Sequence, residues 1–200
     1  MLDVPAVDFE IQQLILNPTS KLLAVIGVHS IAVVVLPRKG WSSSLNRVIS
    51  CRSVLSFVFS SAPTLTHLRY SSLLVGKFYH ALPGSPAVAQ VLWHPWGEGA
   101  SSLLVLTVDC LLREYSISVD VEEPAQTLSF SHSTATSAAR GSAPGTPRGG
   151  KRFSADDEGA EVATGMCIGE GEGDWGPLTI YGLMRNGDIY ALSPFLPRRA

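Results

Sequence analysis

The chain has 200 residues and a formal net charge of −2, and 46% of its residues are apolar while 16% are charged. This composition is typical of a globular protein, and the lack of a basic excess argues against direct nucleic-acid binding. Three separated cysteines without a C-x-x-C pair argue against a disulfide framework or a zinc site. The acidic N-terminus does not resemble a signal peptide, and the longest apolar run is too short to span a membrane.

A first unit of short strands is predicted near the N-terminus. Phe9–Leu16 is an apolar segment, and Leu22–Ile26 and Ile31–Leu36 flank a polar break at His29-Ser30. Two apolar strands around such a break are typical of a β-hairpin. Leu73–Tyr79 is the candidate for a fourth strand.

The same pattern recurs in the middle of the chain. Val88–Trp93 is followed by Leu103–Thr107 and Leu111–Tyr115, which flank a turn at Asp109-Cys110, and Ala125–Phe130 is the candidate fourth strand. Leu103–Thr107 is apolar at nearly every position. Because side chains alternate along a strand, Leu104 and Leu106 are expected on one face and Leu103 and Val105 on the other, with both faces buried.

A third unit lies near the C-terminus. Val162–Cys167 precedes Leu178–Tyr181 and Asp188–Leu192, which flank a turn at Asn186-Gly187. Repeated four-stranded units are the pattern of a β-propeller. The sequence therefore predicts an all-β fold, an incomplete β-propeller of about two and a half to three blades.

The predicted organisation is a partial N-terminal propeller over residues 1–200. Its parts are blade one at about 9–79 with an insert at 53–72, blade two at about 88–130, a disordered loop at about 132–161, and blade three at about 162–192. Three blades cannot close a ring, since propellers typically have four to eight. We therefore expect the 200 residues to be the N-terminal part of a longer protein or a truncated gene model.

Two stretches interrupt the repeat. Ser53–Ser72 mixes serine with bulky apolar residues; it is interpreted either as a retained intron or as a lineage-specific loop packed on the propeller. His132–Glu161 is poor in apolar residues, which favours disorder. Within it, Thr146 and Ser154 are candidate phosphorylation sites, because kinases reach extended chains and phosphate would add charge to a basic segment.

No residue pattern indicates catalysis. The five histidines are scattered without metal-ligand spacing, and Gly169–Gly173 lacks the lysine of a phosphate-binding loop and instead predicts a flexible connection. His94 is interpreted as a strand-end residue hydrogen-bonded to the backbone. The sequence therefore predicts no enzyme, with no catalytic, cofactor-binding or metal-binding residues and no cofactor.

Aromatic side chains are expected mainly between blades. The residues in or beside predicted strands are Trp93, Trp96, Tyr115, Trp175, Tyr181 and Tyr190. Such side chains fill large interior spaces and place polar tips near the rim. Trp41 and Trp96 have turn-like surroundings and are the candidates for a partner-binding surface.

Several phrases of the sequence resemble the cytoplasmic-side propeller nucleoporin family, called nucleoporin-82 in fungi and nucleoporin-88 in vertebrates. They are Leu23–Pro37, Gly76–His80, Val91–Gly97, Leu103–Asp109, Leu112–Tyr115, Asp174–Tyr181 and Met184–Tyr190. The chain departs from the family's pattern at Ser53–Ser72, at Cys110, where relatives favour glycine, and in the lack of later blades and coiled coils.

The resemblance implies a function as well as a fold. The family has an N-terminal seven-bladed propeller followed by coiled coils, and it lies on the cytoplasmic face of the nuclear pore complex. There it binds a filament nucleoporin and a Gly-Leu-Phe-Gly-repeat nucleoporin and supports mRNA export and nucleocytoplasmic transport. A non-enzymatic scaffold or docking module at the nuclear envelope is therefore implied. The alternatives are a propeller adaptor of a vesicle coat or ubiquitin ligase, and a propeller enzyme.

Overall fold

The computed structural model describes residues 2–3, 7–36, 49–50, 72–131, 161–171 and 175–199. Regular structure in this part of the chain is almost entirely β, in three antiparallel sheets and one short parallel pair. The pair joins β1 (Leu2–Asp3) to β5 (Ile49–Ser50). The predicted all-β class is confirmed.

The first sheet has the strand order β2-β3-β4-β6. Its strands are β2 (Gln13–Leu16), β3 (Leu22–Ile26), β4 (Ile31–Val35) and β6 (Ser72–Leu74). The hairpin is confirmed, whereas the first strand is shorter than the predicted Phe9–Leu16. The predicted fourth strand Leu73–Tyr79 is wrong beyond Leu74, because Gly76 adopts a left-handed φ of 54° and turns the chain into the one-turn helix α1 (Lys77–His80).

The second sheet has four strands in simple meander order. They are β7 (Val88–Trp93), β8 (Ser102–Thr107), β9 (Leu111–Ser116) and β10 (Gln126–Ser129). A 3₁₀ turn at Glu98–Ala100 lies between β7 and β8. Cys110, in the turn between β8 and β9, has a left-handed φ of 64°. A Cβ is unfavourable in this conformation and glycine has none, which explains why the family's pattern favours glycine at this position.

The third sheet is described as three strands. They are β11 (Ala163–Ile168), β12 (Ile180–Met184) and β13 (Ile189–Leu192). The predicted strand Leu178–Tyr181 begins two residues late, because Gly176–Leu178 forms a 3₁₀ turn that contains Pro177. The strand β12 instead continues to Met184, beyond the predicted end at Tyr181. Asn186-Gly187 lies in the turn between β12 and β13, as predicted.

The second sheet lies between the other two and is buried on both faces. Leu103 and Val105 pack into a cluster with residues of the first sheet, whereas Leu104 and Leu106 pack into a cluster with residues of the third. All four side chains are 0% exposed. The predicted alternation along β8 is therefore confirmed, and face-to-face stacking of twisted antiparallel sheets is the arrangement of propeller blades.

Directional hydrogen bonds cross the seam between the first two sheets. The indole Nε1 of Trp93 donates to the backbone oxygen of Ile15 at 3.1 Å. Asn17, which follows β2 and precedes Pro18, donates from Nδ2 to the backbone oxygen of Ala100 at 2.9 Å. Its Oδ1 accepts the backbone N–H groups of Lys21 and Leu22, so this buried amide fixes its own corner as well as the seam.

The seam between the second and third sheets depends on a residue without a side chain. A Cβ built on Gly182 of β12 would lie 2.9 Å from Cε1 of Phe130. Because overfilling a packed core typically costs 1–3 kcal/mol, we expect Gly182→Ala to lower the free energy of unfolding by about 2 kcal/mol in urea titrations. Adding Phe130→Leu to the Gly182→Ala variant should recover part of this loss, and a double mutant no more stable than Gly182→Ala would contradict the proposed contact.

Both outer sheets keep an apolar face in contact with solvent. Tyr181, Leu183 and Ile189 are 37%, 44% and 68% exposed and border a shallow hollow of about 580 Å³. Leu14 and Leu16 of β2 are similarly exposed on the first sheet. Because Tyr181 lies on this open face, its packing between blades stays a prediction. In the described ranges, no helix has the length and apolar character needed to cross a bilayer.

Candidate partner-binding surface

The Leu112–Tyr115 phrase in β9 places two charged residues in the interior. All four side chains are buried, and alternation sends them to opposite sides of the second sheet. Leu112 and Glu114 lie towards the third sheet, whereas Arg113 and Tyr115 lie towards the first. The phrase therefore contributes to both seams.

On the side of the first sheet, the segment Leu112–Tyr115 contacts the segment Gly76–His80. The Tyr115 hydroxyl and His80 Nε2 are 3.0 Å apart, with the rings edge to face at 5.8 Å. The Arg113 guanidinium lies 5.4 Å from the centre of the Tyr79 ring, close enough for a cation–π contact. A Cβ on Gly76 would lie 2.3 Å from the Tyr115 hydroxyl, so glycine is required for this approach.

Burial controls the protonation of this junction. It lowers the pKa of His80 to about 4, with the positive charge of Arg113 acting in the same direction and Asp109 opposing both. Burial likewise raises the pKa of the Tyr115 hydroxyl, which Arg113 partly opposes. Both groups are therefore neutral at pH 7, and the junction has a structural role.

On the side of the third sheet, Glu114 holds a distant part of the chain. Its carboxylate is 1% exposed and accepts the hydroxyl of Ser102 at 2.7 Å and the amide of Gln126 at 2.6 Å. It also accepts the backbone N–H of Arg198 at 3.1 and 3.2 Å. Three donors thus satisfy a carboxylate that would otherwise be costly to bury.

Residues 193–199, here called the C-terminal segment, cross from the third sheet over the end of the second. Phe195 donates its N–H to the oxygen of Leu178 at 2.7 Å. The Leu196 oxygen accepts the amide of Gln126 at 2.9 Å. The Arg199 oxygen accepts the N–H of Glu98 at 3.0 Å. Together with the bond to Glu114, these contacts fix the segment along its length.

His94 fills the space beneath this segment. The ring is 0% exposed and lies 5.5 Å from the ring of Phe195 and 6.4 Å from that of Trp96. Its Nδ1 accepts the backbone N–H of Trp96 at 3.2 Å, and burial lowers its pKa. The prediction of a strand-end histidine bonded to backbone is confirmed.

Three large apolar side chains around the C-terminal segment are exposed. Trp96, Leu196 and Trp175 are 46%, 55% and 67% exposed, and we call these three residues the loop surface. Trp96 follows β7, Trp175 follows β11, and Leu196 belongs to the C-terminal segment. The prediction that Trp96 and Trp175 fill spaces between blades is wrong among the described residues. Trp93 and Tyr115 are buried as predicted, and Tyr190 is half-buried against the seam between the second and third sheets.

Several of the remaining candidate residues lie outside the part of the chain that the structure describes. Trp41, Thr146 and Ser154 lie outside the described residues, as does Ser53–Ser72 apart from Ser72. A role of Trp96 in partner binding stays a prediction. In the part of the chain that the structure describes, no three His, Cys, Asp or Glu side chains are grouped so as to hold a metal ion.

Three stacked antiparallel sheets, two of them four-stranded, with buried hydrogen-bonded seams define the chain as part of a β-propeller protein. The family model of the nucleoporin NUP82 β-propeller matches residues 1–200. The chain therefore belongs to the NUP82 β-propeller family.

Individual relatives agree with this assignment. The chain is 27% identical over 204 residues to nucleoporin NUP82 of Chaetomium thermophilum and, again over 204 residues, 27% identical to nucleoporin nup82 of Schizosaccharomyces pombe. These alignments cover 100% and 98% of this chain but 21% and 23% of the relatives. The chain thus spans about a fifth of the length of the curated relatives that it matches.

Solved structures give the same fold. A chain in the crystal structure of the Chaetomium thermophilum heterotrimeric Nup82 NTD–Nup159 TAIL–Nup145N APD complex matches with a TM-score of 0.65 and 26% identity, over 96% of this chain and 33% of that chain. A chain in the yeast heterotrimeric Nup82–Nup159–Nup116 nucleoporin complex matches with a TM-score of 0.50 and 19% identity, over 92% and 32%. The second similarity concerns the fold alone.

Proposed function

We propose that this chain is part of a non-enzymatic scaffold and docking module of the nuclear pore complex. The observation that carries the proposal is the match of the NUP82 β-propeller family over all 200 residues. The proposed place is the cytoplasmic face of the pore, where the module supports mRNA export and nucleocytoplasmic transport. The division into blades at about 9–79, 88–130 and 162–192 belongs to the same proposal.

The interior chemistry supports a scaffold. Buried polar groups that could perform chemistry are used in packing: Glu114 fixes the C-terminal segment, and His80 pairs with Tyr115. The Chaetomium thermophilum structure that this chain resembles is a complex of Nup82 NTD with a Nup159 TAIL and a Nup145N APD. We propose nucleoporins of these kinds as the partners of this protein.

Tagging the chromosomal gene with a fluorescent protein tests this function. We expect a continuous signal at the nuclear rim and co-purification of other nucleoporins, and immunoelectron microscopy should place the tag on the cytoplasmic side. A signal on vesicles with co-purified coat subunits, or co-purification of ubiquitin-ligase subunits, would instead support an adaptor role. Label on the nuclear side only would contradict the proposed face while leaving the pore assignment intact.

A further inference from the structure

The three residues of the loop surface come from separate parts of the chain that meet at the C-terminal segment. The Trp96 ring lies edge to face with His94, and His94 contacts Phe195, which is the neighbour of Leu196. Phe195 is hydrogen-bonded to Leu178, whose own N–H donates to the backbone oxygen of Trp175 at 3.0 Å. Trp96 and Trp175 are therefore each linked through one intermediate residue to Phe195, the neighbour of Leu196.

This surface is held in a fixed shape. The C-terminal segment is hydrogen-bonded to Glu114, Gln126, Glu98 and Leu178. Thr179 donates its hydroxyl to the backbone oxygen of Trp175 at 2.7 Å. A partner would therefore meet a preorganised surface and lose little conformational entropy in ordering it.

The exposed groups have the composition of a binding hot spot. Tryptophan and arginine are enriched at such positions, and the loop surface has two tryptophans beside Arg198 and Arg199. Among the described residues, neither indole N–H and neither guanidinium has a hydrogen-bond or ion-pair partner. Glu98 and Glu170 are exposed in the loops of Trp96 and Trp175, so the surroundings contain negative as well as positive charges. The two positive charges come from consecutive residues, whereas the two glutamates lie in different loops.

We propose that the loop surface binds a short partner segment with an aromatic or aliphatic side chain close to a carboxylate. The apolar side chain would pack against the exposed side chains of the loop surface. The carboxylate would pair with Arg198 and Arg199, because guanidinium groups bind carboxylates bidentately. Glu114 acts as a positioning residue, because it binds the backbone N–H of Arg198 and the Gln126 amide that in turn binds Leu196. This inference rests on the proposed docking function and names a surface for it.

The test uses a displayed library of random 12-residue peptides panned on the immobilised protein. We expect enriched peptides that combine aromatic or aliphatic residues with Asp or Glu. Synthetic versions should bind the Trp96→Ala/Trp175→Ala variant at least tenfold more weakly by calorimetry. The matched control is Phe78→Ala, which removes a side chain that is 64% exposed on α1, and it should leave the affinity unchanged. Failure to enrich such peptides, or equal affinity for the double variant, would overturn the proposal.

Charge reversal tests the second half of the recognition. Arg198→Glu/Arg199→Glu should weaken the acidic peptides at least tenfold, whereas Arg185→Glu, in the exposed turn between β12 and β13, should not. Equal effects of the two changes would indicate non-specific attraction and would refute the arginine contact.

The positioning role of Glu114 has its own readout. Glu114→Ala should weaken peptide binding severalfold, and Glu114→Gln, which keeps one acceptor oxygen, should restore most of it. If the alanine variant does not fold, Gln126→Ala removes the bond to Leu196 while keeping the carboxylate, and it should also weaken binding. Unchanged affinity in folded variants would contradict the role.

Nucleoporin fragments separate this inference from the function itself. The Nup159 tail and the Nup145N APD of Chaetomium thermophilum are measured against the wild-type protein and the double tryptophan variant. Binding to neither fragment, together with no signal at the nuclear rim, would contradict the docking function. If the double tryptophan variant binds the fragments as tightly as the wild-type protein does, the docking function stands. Only the assignment of the loop surface as the site for those fragments is then contradicted.

Discussion

Replacing Leu106 by aspartate is expected to lower the free energy of unfolding by about 5 kcal/mol, one of the largest single effects in this chain. Leu106 is 0% exposed in β8 and belongs to the cluster between the second and third sheets. The change deletes a packed side chain and introduces a carboxylate that has no buried cation to pair with among the described residues of that cluster. Circular dichroism during urea titration measures the loss.

Leu183→Asp is the matched control, because Leu183 lies in the neighbouring strand β12 with 44% of its surface exposed. Its carboxylate stays hydrated, so the expected loss is below about 1 kcal/mol. Similar losses for the two variants would mean that the second and third sheets do not pack through Leu106. The comparison therefore tests the stacking of the sheets as well as the burial of one residue.

Acidification from about pH 6.5 to about pH 4 is expected to destabilise the protein by about 3 kcal/mol through His80 alone. The folded state holds this ring neutral, whereas the unfolded state protonates it with its ordinary pKa of 6.5. The unfolded state thus binds more protons in this window. The contribution of His80 is fully present above pH 6.5 and is lost as the pH falls towards 4.

Other groups also titrate in this range, so the measured quantity is a difference between variants. The free energy of unfolding of His80→Gln should fall less steeply between pH 6.5 and pH 4 than that of the wild-type protein. Parallel curves for wild type and His80→Gln would show that His80 is not buried in the neutral form. His94, whose pKa burial also lowers, adds a slope of the same sign in both proteins.

The hairpins were predictable because their signal is local. Alternation and turn residues defined β3, β4, β8 and β9 to within one residue at each end. The one-turn helix at Lys77–His80 was missed because its apolar residues suit a strand, and the deciding feature is the left-handed backbone at Gly76. The glycine itself is in turn required by Tyr115, 39 positions away, whose hydroxyl leaves no room for a Cβ, and no local pattern reveals this.

The candidate surface was only half predictable. Turn-like neighbours pointed to Trp96, but Trp175 was assigned to the interior because it adjoins a predicted strand. Its position depends on the 3₁₀ turn at Gly176–Leu178, which follows from packing against the C-terminal segment. The role of Glu114 was also not foreseeable, since its donor at Arg198 lies 84 residues away in sequence.

The course of the C-terminal segment has a mechanical consequence. Because Arg198 and Arg199 are bonded to Glu114 and Glu98 of the second sheet, tension applied at that end would be transmitted to the middle of the stack. The outer strand β13 would be shielded from peeling, since the load bypasses it. A chain anchored in this manner resists shear because several hydrogen bonds carry the load in parallel. The force reaches the second sheet, which is packed against a neighbouring sheet on each face.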